Sequence, residues 1–137
     1  FLDFLVKLRN MAAPQVPIPV QSVAVAAYRD ERHVIDNRRL YNEKFDAADR
    51  LLAGRFGYRR PEGSFFLWLD VTAEGGGEAV TRRLWREAGL KTVPGSYLAA
   101  TDAAGVNPGT PYVRLALVDD LATTTTALER LVAALPA

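Results

Sequence analysis

The sequence predicts an α+β fold, in which a small, mostly antiparallel sheet carries helices packed on one face and is preceded by long helices. Three observations predict it. The runs Phe65 to Val71 and Tyr112 to Val118 have the length and apolar content of strands. The segments around them space their apolar residues three and four apart, as helices do. Gly/Pro turns at Arg59 to Ser64, Pro94-Gly95 and Asn107-Pro108-Gly109 separate the pieces. From Phe65 onward the order reads β-α-β-β-α.

Phe1 to Met11 carries Phe1, Leu2, Leu5, Val6 and Leu8 at amphipathic-helix spacing. Ala12 to Pro19, with Pro14, Pro17 and Pro19, is a rigid connector. Val20 to Tyr28 is small and apolar almost throughout, which suits a helix buried on most sides, yet so short a chain offers little to bury it. Asp30 to Phe56 is a long helix whose Val34, Tyr41, Phe45, Ala48 and Leu52 form one stripe, with Gly57 as its stop. Between Arg29 and Arg60 basic residues outnumber acidic ones. Acids are interleaved throughout, so a solvated helix face is favoured over a nucleic-acid surface. His33 has no partners at ligand spacing and reads as a surface histidine.

Phe65 to Val71 is apolar on both faces, which predicts a strand in the middle of a covered sheet. No basic residue interleaves with its aromatics, so core packing is favoured over a base-stacking platform. Gly75-Gly76-Gly77 has neither phosphate-loop spacing nor a neighbouring Lys-Ser/Thr, and reads as a flexible turn. Glu78 to Ala88 is a helix with Val80, Leu84 and Ala88 inward, Gly89 as its left-handed stop and Leu90 as the apolar contact beyond. A strand begins at Lys91 to Val93 and runs through Tyr97-Leu98. The last helix is capped by Asp119 or Asp120 and turns Leu128, Leu131, Val132 and Leu135 inward; its Thr123 to Thr126 run predicts a loose first turn.

Alternation along Tyr112 to Val118 puts Val113, Leu115 and Leu117 on one face, and Tyr112, Arg114, Ala116 and Val118 on the other. Arg114 is thus a lone cation on an otherwise small or apolar face. Two readings stand. One is a solvent-facing arginine on a half-exposed sheet. The other is an anion clamp, since a guanidinium fork matches a carboxylate bidentately. Pattern alone does not choose between them.

The 137 residues make one ordinary domain, and near balance between 17 basic and 16 acidic residues favours neither nucleic acid nor an anionic membrane as partner. There is no cysteine, hence no disulfide or thiolate site, and cytoplasm is the default expectation. No run approaches the roughly 18 apolar residues of a membrane span. Phe1 to Leu5 lacks a basic flank and is broken by Asp3, unlike a signal peptide. A chain that opens inside a helix, at Phe1 rather than Met, is expected to be a piece of something longer.

The segment PGSYLAATDAAGVNPGTPYVRLALV resembles the closing part of fold-type I, class I/II pyridoxal-phosphate aminotransferases, and is most similar to the succinyldiaminopimelate aminotransferase-like branch. The resemblance runs from Phe1-Leu2 through Glu62-Gly63-Ser64-Phe65-Phe66 to the final helix. It implies that residues 1–28 close the large cofactor domain near a homodimer interface, and that residues 29–137 are the small C-terminal domain. It implies that Arg114 grips the α-carboxylate of an amino-acid substrate. It further implies that pyridoxal 5'-phosphate and its lysine belong to an upstream domain, so Lys7, Lys44 and Lys91 take no catalytic role and the fragment alone is inactive. Substrates would be an amino acid and a 2-oxo acid, with succinyldiaminopimelate and glutamate as the branch suggests. A ferredoxin-like ligand-binding or regulatory module shares the β-α-β-β-α order and is the alternative.

Overall fold

The computed structural model describes residues 1–13 and 15–136. Pro14, part of the expected connector, lies outside them. The chain divides into two compact units, Phe1–Asn37 and Arg38–Ala137.

The first unit holds α1 (Leu2–Ala12), α2 (Ile18–Arg29) and the start of α3 (Arg32–Leu52). Neither α1 nor α2 buries a side chain. This corrects the expectation for Val20 to Tyr28, since Val20, Val23 and Val25 are all exposed. Alanine-rich composition and a proline in the first turn are enough to set the helix. They do not supply anything to cover it. His33 is exposed, with Nδ1 3.6 Å from the Asp30 carboxylate.

The second unit is the predicted α+β layer. Its sheet has the order β1-β3-β2, antiparallel throughout, from β1 (Phe66–Asp70), β2 (Val93–Pro94) and β3 (Tyr112–Ala116). Leu67 and Leu69 of β1, with Val113 of β3, point to the side where the helices pack. Phe45, Ala48 and Leu52 of α3 meet them there, with Val80 of α4 (Gly77–Arg83) and Leu128 and Leu131 of α5 (Leu121–Ala134). Burying such side chains stabilises by roughly 1.5–3 kcal/mol each, so this layer defines the fold.

Two strand expectations are corrected. β1 is an edge strand, not a central one, and its second face stays open, with Trp68 46% exposed. The run through Tyr97-Leu98 is not a strand: β2 stops at Pro94, and Gly95–Leu98 is a single 3-10 turn. Pro94 has no N–H for the ladder. A side chain on Gly95 would also collide with the carbonyl of Gly109, so the backbones cross there instead of pairing.

Helix ends follow local chemistry. α3 ends at Leu52, with left-handed Gly54 (φ 73) beyond it, so the helix is shorter than the predicted run to Phe56. Phe56 itself takes φ 52 and is held by burial of its ring in the core. α4 passes into one π turn, Leu84–Ala88, closed by left-handed Gly89, and the Leu90 N–H reaches the Leu84 carbonyl. Gly75-Gly76-Gly77 is not a loose turn. The Gly76 and Gly77 N–H groups donate to Val71 and Thr110, and a side chain on Gly77 would strike the Tyr112 carbonyl. Asp120 is the cap of α5 and accepts from the Thr123 N–H at 2.7 Å. The threonine turn is tied down: Thr124 is buried and the Thr125 hydroxyl donates to the Leu121 carbonyl. Among the described residues no helix is long and apolar enough to cross a membrane.

Candidate functional site

The face of the sheet away from the helices carries the candidate site. Arg114 sits at the centre of β3, directly across from Trp68 on β1 and Val93 on β2. Its guanidinium carbon lies 4.2 Å from the ring centroid of Phe66, one pleat along β1. The side chain is half-buried. Among the described residues no acidic side chain pairs with it and no hydrogen bond consumes its N–H groups. Some arginines are paired, Arg39 and Arg83 with Glu43 and Glu87 one helical turn away and Arg60 with both Asp46 and Asp49. Arg9, Arg38 and Arg130, unpaired among the described residues, are exposed, unlike half-buried Arg114. An unneutralised fork on an apolar face can receive a carboxylate on two parallel N–H bonds.

Aromatic side chains border it. Phe65 and Phe66 lie 4.3 Å apart at the ring centres, and Tyr41 stacks on Phe65 at 5.8 Å. Trp68 packs edge-to-face with Tyr112 at 6.4 Å.

The entry to β3 is fixed by backbone and side-chain contacts. Asn107 Nδ2 donates to the Ser96 and Ala99 carbonyls at 2.9 and 3.0 Å, and its Oδ1 accepts from the Gly109 N–H. Asp102 Oδ1 accepts from the N–H groups of Ala104 and Val106. These bonds lock the loop that leads into Tyr112, and so set the register that puts Arg114 beside Phe66. The Asn-Pro-Gly turn was visible in the sequence, but the partners of Asn107 were not.

The lysines are placed differently. Lys44 is buried, its Nζ donates to the Leu117 carbonyl at 2.8 Å, and the ammonium lies 4.6 Å from the ring centre of Tyr41. Lys91 lies over Trp85. Lys7 is on exposed α1. The N–H groups at the start of α4, which could cradle a phosphate, are spent on Val71 and Thr110. The described residues therefore do not fit a pyridoxal phosphate site: no available amine, acid and phosphate cup converge. A cavity of about 580 Å³ between β3 and α5, lined by Leu115 to Leu117 and Thr123, does not include Arg114.

On this side of β1 the Asp70 carboxyl is held below the ordinary aspartate value by its bonds to Thr72, and a second group of shifts lies at the end of α3 and beyond it. The Tyr58 hydroxyl donates to Asp49 at 2.7 Å and, with Arg60, holds that carboxyl below the ordinary aspartate value. Burial first, and Asp49 second, raise Tyr58. These bonds tie the segment after α3 back onto the helix.

No protein-family model and no curated protein matches the chain. Solved structures do. The chain is similar to an aminotransferase from Neisseria meningitidis, with 42% identity and a TM-score of 0.80 over 96% of this chain and 33% of that one. It is similar to the α-aminoadipate aminotransferase of Thermus thermophilus, solved with N-(5'-phosphopyridoxyl)-L-leucine, at 26% identity and a TM-score of 0.68, over 97% of this chain and 34% of that one. A probable N-succinyldiaminopimelate aminotransferase, also from Thermus thermophilus, matches at 28% identity and a TM-score of 0.56, over 71% of this chain and 24% of that one. The chain spans about a third of the length of the first two of these.

Proposed function

We propose, from the premise that this chain belongs to the pyridoxal-phosphate-dependent aminotransferases, that it supplies substrate recognition and closure to amino-group transfer between an amino acid and a 2-oxo acid. Residues 29–137 act as the small domain and residues 1–28 as the tail of the cofactor domain. Arg114 receives the substrate α-carboxylate in its fork, and the small domain closes over the site and excludes water. The chemistry itself is done on the cofactor, held by the remaining two-thirds of the protein, so the 137 residues alone have no activity. The intact protein works as a homodimer in the cytoplasm.

One observation carries the reading: a half-buried guanidinium on an open sheet face that nothing in its own chain neutralises, among the described residues. A charge left so exposed to a ligand, in a chain of this family, is best explained by an anion that arrives with the substrate. Excluding water strengthens the pair, because the same charges attract more strongly at lower dielectric. The relative named for N-succinyldiaminopimelate supports that compound as the amino-acid partner, with glutamate as the donor that forms it. Nothing observed favours the ferredoxin-like module.

The test is a screen of amino donors and 2-oxo acceptors on the intact protein with added pyridoxal phosphate. Transfer from glutamate is expected, with the 2-oxo acid that yields the succinylated diamino acid among the best acceptors. No transfer with any pair contradicts the enzyme reading. Transfer confined to other acceptors contradicts only the substrate.

A further inference from the structure

We propose that Phe66 is a positioning residue for Arg114, its ring holding the guanidinium in place while leaving every N–H donor free for the incoming carboxylate. The inference rests on the reading of Arg114 as the carboxylate grip, and deepens it by saying how the grip is held open.

An arginine can be oriented in two ways. A carboxylate neighbour fixes it strongly but occupies the fork and cancels its charge, as Asp46 and Asp49 do for Arg60. An aromatic face attracts the cation through the ring quadrupole and leaves the in-plane N–H groups untouched. Arg114 is held in the second way, with its guanidinium carbon 4.2 Å from the Phe66 centroid.

The surroundings are arranged for that contact. The residue directly opposite Phe66 on β3 is Ala116. Its methyl group leaves the space above the ring open, so Arg114 can lean diagonally across the strand pair. Diagonal neighbours in a sheet lie roughly 7–8 Å apart at Cα, within reach of an arginine. Trp68, the direct partner of Arg114, instead packs edge-to-face with Tyr112. The Phe66 ring is itself braced, through Phe65 at 4.3 Å and then Tyr41. A side chain already confined before the ligand arrives loses less freedom on binding it.

The test compares Phe66→Leu, which keeps apolar volume but removes the π face, with Phe66→Trp, which restores it. Both are measured in the intact protein with pyridoxal phosphate, against a substrate amino acid and the matching amine that lacks the α-carboxylate. Phe66→Leu is expected to raise KM for the amino acid about 3- to 10-fold, the range of one cation–π contact. Its kcat should change less than about 2-fold by the same logic of uniform binding loss. Phe66→Trp should return KM to the parent value, and the amine should respond to neither change. An unchanged KM in Phe66→Leu, a failure of Phe66→Trp to restore it, or an equal effect on the amine overturns the proposal. An Arg114→Lys arm separates the two levels. If that variant keeps its KM, the carboxylate grip itself is wrong; if it loses affinity while Phe66→Leu does not, only the role of Phe66 falls.

Discussion

A guanidinium half-withdrawn from water gives up hydration, and Arg114 recovers part of it from a ring face instead of an anion. Alternation along β3 was enough to put this residue on the face opposite Val113 and Leu115, but only the structure shows that Val113's face meets the core. Its contact with Phe66 was not legible, because it depends on the register between strands separated by more than forty residues. The Asp49-Tyr58-Arg60 cluster was hidden for a different reason: its members, nine and eleven residues apart, meet only once the chain turns back on α3. That cluster yields a direct prediction. Replacing Tyr58 by Phe removes the first cause of the lowered Asp49 value, so its carboxyl should titrate closer to the ordinary aspartate value of about 3.9. Because the folded carboxyl is depressed, its stabilising effect is complete above the unfolded value and fades as pH falls through the folded one. Carboxyl chemical shifts followed through roughly pH 2–6, a window that brackets the reference value, check the claim. An unmoved Asp49 titration would contradict it.

Among the elements, helices were read more reliably than strands. Of the stripe Val34, Tyr41, Phe45, Ala48 and Leu52 the last three are buried, and of the inward set Leu128, Leu131, Val132 and Leu135 all but half-buried Val132 are. The extended run through Tyr97 and the central placing of Phe65 to Val71 failed for related reasons. Apolar content shows that a strand has neighbours, not how many or on which face. The short β2 reflects a backbone crossing of Gly95 and Gly109, which only a structure reveals. At this crossing Gly109→Ala should destabilise the protein by about 1–3 kcal/mol, the usual result of inserting an atom where packing is already tight. Urea or thermal unfolding of the variant measures it. The same substitution at Gly63, whose added methyl would meet nothing and whose backbone is not left-handed, serves as a control for the loss of glycine alone. Equal, small losses at both positions would contradict the crossing as the cause at Gly109.

For the molecule as a whole, the likeness to aminotransferases rests on order and spacing rather than on any one motif. The resemblance read from the Val-Arg-Leu-Ala strand and the turns before it agrees with the solved aminotransferases that the chain matches. The apolar surface of α2 was expected to be buried and is exposed along the described chain, as is that of α1. Large exposed apolar surfaces mark interfaces. On the proposed reading the cover is the cofactor domain and the second subunit. Hydrophobicity in a sequence announces that a face needs covering, whereas the covering surface can lie in a different part of the protein. Arg114 has the same incompleteness in polar form, a charge awaiting its counter-ion. The decisive measurement is therefore the preference of the intact protein for an α-amino acid over the same amine without its carboxylate, in the parent and in Arg114→Lys. A lysine keeps the charge but not the fork. We expect the preference to fall about 10- to 100-fold, mostly through KM, which is the factor that a lost charge-assisted pair of roughly 1.5–3 kcal/mol sets. A preference that survives the substitution unchanged would contradict the account.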